Sequence, residues 1–314
     1  MIEKIDKKDL FLQRYDKIYG KEWLRKDALK GYLAFRINTT ISSKINFLEV
    51  LNQNKVEYID TNLNLVFIPK TFKTKVTHNI NDKSNLGIVL NPSSFFSPYL
   101  LPLNNKDNII DLCAAPGIKS AQLILNAIDS SIAINLISIE KDSKRYFRMT
   151  KLLTELFNNK PNIQTLNIDA RRFKQDISYD KILCDVPCSA EAEMIDNDDF
   201  RIWSSRLINS YTNTQKSLLA KAISLVRKDG IVLYSTCTLS PEENEEVIDW
   251  ALKRFPIDIE QIQVSNILGL APKIMTGIPA WGIKTYNEQI SNCIRIIPDE
   301  TYEGFFIAKI RKRE

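Results

Sequence analysis

Five cysteines are the side chains in this sequence best suited to covalent chemistry, and their contexts divide them. Cys184 lies inside the apolar run KILCDV and Cys293 inside NCIRII, where a thiol ordinarily serves as a small core hydrophobe. Cys188 and Cys237 come instead after apolar runs, in Asp185-Val-Pro-Cys188-Ser189 and Tyr234-Ser-Thr-Cys237-Thr238. Both should project from neighbouring strand ends onto one rim. A thiol attacks as its thiolate, from a free pKa of about 8.5, and a helix starting at Pro241 would stabilise that form. The opening MIEKIDKKDL mixes acids with bases and has no hydrophobic signal core, so with an odd cysteine count a disulfide framework is not expected. Nor is a metal site. Cys184 and Cys188 lack a second cysteine pair, and the lone histidine, His78, falls in a polar loop.

Carboxylates complete the rim. Asp111, Glu140, Asp169 and Asp185 each end an apolar run, and although any one would serve as a helix N-cap, four together point to a ligand rich in hydroxyl and amino donors, as a nucleoside is. After Asp111 comes a turn of small residues, Cys113-Ala114-Ala115-Pro116-Gly117-Ile118-Lys119-Ser120, which opens a helix whose N-terminus favours a negative group. It is not a phosphate loop, because that motif needs Gly-Lys-Ser with a further glycine upstream, whereas this stretch reads Gly-Ile-Lys-Ser with Ala and Pro before it. Glu140 stands about 20 residues beyond this turn, where an acid commonly binds ribose hydroxyls.

These residues need strands to carry them. From residue 107 onward, apolar strand-like runs (NIIDL, INLISIE, NIQTLNI, KILCDV, IVLYST) alternate with helical stretches, the rhythm of a parallel α/β sheet. NCIRII and GFFIAKI, with no helix between them, predict an antiparallel hairpin closing the sheet edge. Before this, residues 1 to 85 read as helices followed by a small α+β unit, with TFKTKVTHNINDKSN as a loop or linker; residues 86 to 314 form the larger domain. The chain has 314 residues, more than one core usually serves, and 44% hydrophobic against 26% charged residues excludes a disordered chain. No run approaches the roughly 20 apolar residues that span a bilayer. The expectation is a soluble cytoplasmic protein. Within the first 100 residues 16 Lys and Arg face 10 Asp and Glu, against 27 and 28 in the rest, a basic bias that suits a polyanion.

Asp111-Leu-Cys-Ala-Ala-Pro-Gly-Ile-Lys-Ser120, Asp185-Val-Pro-Cys-Ser189 and Tyr234-Ser-Thr-Cys-Thr238 followed by Glu242-Glu-Asn-Glu245 resemble, in order, the signature motifs of the Nop/Sun (Sun/Fmu-type) RNA cytosine-5 methyltransferases. The resemblance spans roughly residues 85 to 312, with Gln215, Glu303-Gly-Phe-Phe306 and the Arg36-Ile-Asn-Thr39 element included. It implies a Rossmann-like class I fold that binds S-adenosyl-L-methionine over the strand ends. Carried over by position, Cys113, Ala114, Ala115, Pro116, Gly117 and Lys119 would hold the methionine part, Glu140 the ribose with Arg145 nearby, and Asp169 the adenine. Asp185 would face both cofactor and base, Cys237 would be the nucleophile, and Cys188 would assist loss of the carbon 5 proton and release of the adduct. RNA is the implied partner, ribosomal RNA first and transfer RNA as the alternative, with no membrane or metal; the chain is expected to be a monomer, with room for a protein partner in RNA binding.

The sequence departs from the pattern at Ala190 and Ala192, where the family carries glycines, and a positive φ at either would strain the loop by about 1 kcal/mol or more. This leaves an alternative, an RNA-binding ribosome assembly factor that keeps the fold with weak or no turnover. A DNA cytosine-5 methyltransferase is disfavoured. Its nucleophile sits in a Pro-Cys motif like Pro187-Cys188, but the Glu-Asn-Val element that follows there is missing, and it has no Thr-Cys nucleophile.

Overall fold

Why the rim residues converge follows from where two sheets place their strand ends. The computed structural model describes residues 6–21, 23–24, 31–81, 85–158, 162–175, 177–264 and 271–314. The chain opens with α1 (Lys7–Tyr19), whose N-cap Asp6 accepts from the Lys8 amide. There follow β1 (Tyr32–Ile37), α2 (Lys44–Gln53), β2 (Ile59–Asp60), β3 (Leu65–Pro69) and β4 (Gly87–Leu90), which make an antiparallel sheet in the order β2-β3-β1-β4. β4 lies past the boundary that the sequence placed at residue 85, so the small sheet closes only at Leu90. The cause is the outer edge of β1, whose backbone groups need partners and find them from Ala34 opposite Leu90 to Ile37 opposite Gly87. The polar stretch before it is not an open loop either: a 3-10 turn (Lys70–Phe72) and a π-helical turn (Lys75–Ile80) bury Val76 and Ile80, leave His78 exposed, and end before residues 82–84, which lie outside the described residues.

After α3 (Phe96–Leu100) the expected alternation runs through β5 (Asp107–Asp111), α4 (Ile118–Asp129), β6 (Ile134–Ile139), α5 (Ser143–Phe157), β7 (Ile163–Leu166), β8 (Tyr179–Asp185), α6 (Glu191–Asp196), α7 (Ser205–Leu225) and β9 (Val226–Thr236). The remainder is α8 (Glu245–Leu252), β10 (Ile257–Glu260), β11 (Ile274–Thr276), the short pair β12 (Ala280–Trp281) and β13 (Lys284–Thr285), β14 (Ile294–Ile296) and β15 (Phe305–Lys312). The large sheet has the order β11-β14-β15-β9-β8-β5-β6-β7, parallel from β9 to β7, the Rossmann-like class I arrangement. β14 and β15 form the antiparallel hairpin, but β15 is interior: β9 pairs one side, β14 and β10 share the other.

Alternate strand residues divide between two cores, as a period of two requires. Ile109, Leu183 and Leu233 face α4, α5 and, from the small sheet, Ala34, Leu65 and Phe67; Ile110, Ile182 and Tyr234 face α7 and α8. The Arg36 element latches the small sheet to this layer. Arg36, 2% exposed, donates to Asp129 at 2.6 Å and to Asn126, while Asn38 donates to the Leu156 carbonyl. α1 packs elsewhere, its Phe11 and Tyr15 against Phe200, Trp203 and Leu239. Among the described residues no helix is long and apolar enough to cross a membrane.

Candidate active site

β8 and β9 are parallel neighbours in register at Asp185 and Ser235, so the segments leaving them start side by side. Two further bonds hold the segments together, Val186 N–H to the Ser235 carbonyl at 3.1 Å and Ala192 N–H to the Cys237 carbonyl at 3.1 Å. Cys188 and Cys237, 49 residues apart in sequence, thereby bring their sulfurs to 3.3 Å, both as free thiols. The hydrogen bond to Cys237 and burial push the Cys188 thiol well above its usual range, towards the neutral form.

Behind the two sulfurs stand two fully buried carboxylates. Glu243 accepts from the Ser189 amide at 2.9 Å, the Ser189 hydroxyl and the Gln215 amide at 2.7 Å; burial pushes its carboxyl up to about 7. Glu191 accepts from Tyr15 (2.7 and 2.8 Å), Trp203, Thr238 and the Leu239 amide. Sequence reasoning missed Glu191 altogether, since nothing in Ala-Glu-Ala distinguishes it from a surface acid; Gln215 was reached only through the resemblance. The helix expected at Pro241 begins later. Residues 241–244 form a turn, Asn244 at φ −109°, ψ −98° accepts from Thr236 and donates to the Thr238 carbonyl, and α8 starts at Glu245. Glu245 in turn pairs with buried Arg295 of β14, Nε to Oε1 at 2.6 Å, and Arg295 also donates to the Leu239 carbonyl.

Ala190 sits at φ +56°, the left-handed geometry for which glycine is suited, so alanine costs the loop about 1 kcal/mol there. Ala192 lies within α6, where alanine is at ease.

Across the rim, the turn after β5 runs along the cleft. The Ala114 amide donates to the Ile139 carbonyl at 2.9 Å, the Ala115 carbonyl accepts from Arg145 at 2.6 Å, and Gly117 at φ +102° is the N-cap of α4. A side chain on Gly117 would also come 3.1 Å from Met149, so the turn demands glycine twice over. Lys119 Nζ is 2.9 Å from Asp185, which also accepts from Ser235 at 2.6 Å. Burial opposes the Lys119 charge, but Asp185, Cys237 and Asp111 more than offset it and raise its pKa. Glu140, 3% exposed, accepts from the Asp142 amide and lies 3.5 Å from Arg145; Asp169 pairs with Arg171 and is held down at about 2 chiefly by that bond. Asp111 is the exception among the four rim acids. Its side chain turns under the rim, fully buried, to accept from Ser120 at 2.7 Å, and burial pushes it up to about 7.

These groups border two adjoining spaces. A cleft of about 650 Å³ has Lys73 and Thr77 of the small unit on one wall and Pro116, Lys119, Asp185 and Cys237 on the other. A hollow of about 50 Å³ is lined by Cys113, shared with the cleft, and by Glu140, Arg145, Asp169 and Pro187. Among the described residues no group of His, Cys, Asp or Glu could hold a metal ion.

Known proteins share both the sequence and the layout. The chain is 29% identical to tRNA (cytosine(49)-C(5))-methyltransferase of Pyrococcus abyssi, over 99% of its own length and 97% of the relative's. It is 31% identical to ribosomal RNA small subunit methyltransferase F of Psychromonas ingrahamii over 69% of its length, spanning 41% of that longer protein. Among solved structures, a methyltransferase homolog protein from Pyrococcus horikoshii matches with TM-score 0.78 at 26% identity, covering 96% of this chain and 94% of the other. NSun6 from Pyrococcus horikoshii, solved with SFG, shares the fold with TM-score 0.77 at 19% identity, covering 96% and 97%. The model of the 16S rRNA methyltransferase RsmB/F family matches residues 98–311, from α3 to the last strand, and the chain belongs to that family.

Proposed function

We propose that the protein methylates carbon 5 of a cytosine in structured RNA, using S-adenosyl-L-methionine and Cys237 as nucleophile. The observation that carries this is the pair of sulfurs 3.3 Å apart on the rim of the cleft that also holds Lys119 and Asp185.

The cofactor fits the residues present. Gly117 gives α4 no side-chain cap, which leaves first-turn amides open to a carboxylate, and the adjoining hollow offers Glu140 and Asp169 as acceptors for hydroxyl and amino groups. Cys113 to Gly117 and Lys119 would hold its amino-acid end, Glu140 with Arg145 its ribose and Asp169 its adenine. When bound, it supplies an electrophilic methyl group.

Carbon 5 of cytosine is a weak nucleophile, so the base needs activation. The Cys237 sulfur adds to carbon 6, and the electron pair this releases makes carbon 5 reactive. Lys119, its charge upheld by Asp185 and Cys237, lines the same cleft as the Cys237 sulfur. Asp185, oriented by Ser235 and Lys119, hydrogen-bonds the base at nitrogen 3 through a shared proton, balancing the charge that the addition puts on the ring. Cys188 assists loss of the carbon 5 proton and release of Cys237. The base must leave its stack to reach this floor. We assign RNA binding to the N-terminal α+β unit, whose Lys73 and Thr77 stand on the cleft wall. The end-to-end match with a relative named for tRNA supports a tRNA substrate beside the rRNA that the family description names. On this reading the enzyme acts in the cytoplasm as a monomer.

The test incubates Cys188→Ala and Cys237→Ala proteins with total cellular RNA and S-adenosyl-L-methionine, then runs a denaturing gel. The expected outcome is an RNA–protein adduct with Cys188→Ala and none with Cys237→Ala; sequencing the trapped RNA identifies the substrate. The reverse pattern exchanges the two roles, and no adduct from either overturns the reading.

A further inference from the structure

α5 is amphipathic in an uncommon way. Met149, Leu153 and Leu156 bury one face, while Lys144, Phe147, Arg148 and Lys151, with the single acid Glu155 among them, all fall within a sector of about 100° on the other and are exposed. Phe147 is 70% exposed and meets the Tyr146 ring edge-on at 5.8 Å, which leaves one ring face open. Opposite charges one turn apart stabilise a helix face, and like charges so placed, as at Lys144 and Arg148, destabilise it by a similar small amount. Here the only opposite pair is Lys151 with Glu155 at 3.7 Å, and neither Lys144 nor Arg148 has an ion pair or hydrogen bond among the described residues. The position matters as well as the composition. Arg145, next to Lys144, donates to the Ala115 carbonyl of the rim turn and lines the hollow with Glu140 and Asp169. The stripe therefore begins beside the active site, on the catalytic unit rather than on the basic N-terminal unit.

We infer that this stripe binds a single-stranded RNA segment flanking the target cytosine, with a base stacked on Phe147 and phosphates on Lys144, Arg148 and Lys151. Cations tracking a backbone beside an aromatic platform form a sequence-tolerant contact for single strands. Such a contact holds the strand next to a base taken out of its stack. The inference rests on the RNA reading of the cleft.

The experiment measures binding of a fluorescein-labelled single-stranded RNA of about 12 nucleotides, by anisotropy across a salt series, alongside calorimetry of S-adenosyl-L-methionine binding. Phe147→Ala should weaken RNA binding about tenfold. Lys144→Glu with Arg148→Glu should lower the log–log salt slope by about 1.4, two phosphates' worth. Lys221→Glu with Lys228→Glu, the same charge change elsewhere, should have the smaller effect. Cofactor affinity should stay unchanged in all variants. Wild-type RNA binding that neither stripe variant alters would overturn the stripe alone, whereas absence of RNA binding by the wild type would overturn it together with the RNA reading. If Phe147→Ala is silent while the charge reversals weaken a blunt duplex and the single strand equally, the single-stranded occupant is wrong.

Discussion

Glu191 and Glu243, behind the cysteine loops, accept hydrogen bonds from neutral donors, whereas Glu140, Asp169 and Asp185, along the rest of the same rim, each face a cation. Glu191 and Glu243 are fully buried with buried partners, Asp169 and Asp185 are partly exposed, and Glu140 is buried beside a half-exposed Arg145. Behind the two sulfurs, the chain uses a dry network of hydroxyls, amides and carboxylates, whose misplacement would leave buried polar groups unmatched. Along the other side, the acids are held by ion pairs in each of which at least one partner is partly exposed, each worth little. One half of the rim is set by the fold and the other stays available.

The sharpest way to break this contrast is Glu191→Ala. It leaves the Tyr15 hydroxyl and the Trp203 indole N–H without their acceptor in a buried site, and should cost about 4 kcal/mol, read as a lower urea midpoint, with loss of RNA adduct formation. A loss below about 1 kcal/mol would show that the network does not hold the loops.

The next effect is on pH. Burial raises the Glu243 carboxyl to about 7, so between the unfolded value near 4.5 and about 7 the folded state binds more protons than the unfolded one. Stability should therefore fall as pH rises through that window. Asp111 and Glu303, also raised to about 7 by burial, add to the same slope. Glu243→Gln should remove about 2 kcal/mol of the difference between pH 5 and pH 8, measured by urea unfolding. An unchanged slope would place the titration elsewhere. Smallest is Arg171→Ala on the other side, which unties an exposed pair and should shift stability by under about 1 kcal/mol, vanishing in 1 M salt. A loss as large as that from Glu191→Ala would erase the distinction between the two halves.

How far this was legible differs by element. β5 to β9 and their helices showed as alternating runs because a strand buried on both faces and an amphipathic helix leave unlike patterns, and Asp185, Cys188 and Cys237 followed as residues just beyond strand ends. The segments carrying β10 to β13 were too short to show a period. β4 was not picked out, since four residues are too few to show a period and pairing with β1 across 50 residues leaves no local mark. Asp111 ended its strand as expected, yet which way its carboxylate turned depended on Ser120, one helical turn into α4. Glu191 could be recognised only once α1, α6 and the Cys237 loop were assembled around it.

The Arg36 latch and the core shared by the two sheets bear on how the molecule comes apart. Ala34, Leu65 and Phe67 pack in the same cluster as Ile109, Leu123 and Leu183, and Arg36 buries its charge against Asp129 at the far end of α4 from the cofactor turn. Melting the small sheet alone would expose that cluster and leave Asp129 without its buried partner. The two sheets are therefore expected to unfold in one transition, with the same urea midpoint by tryptophan fluorescence and by far-UV circular dichroism: the line that separates them in the sequence is not a line of weakness in the fold.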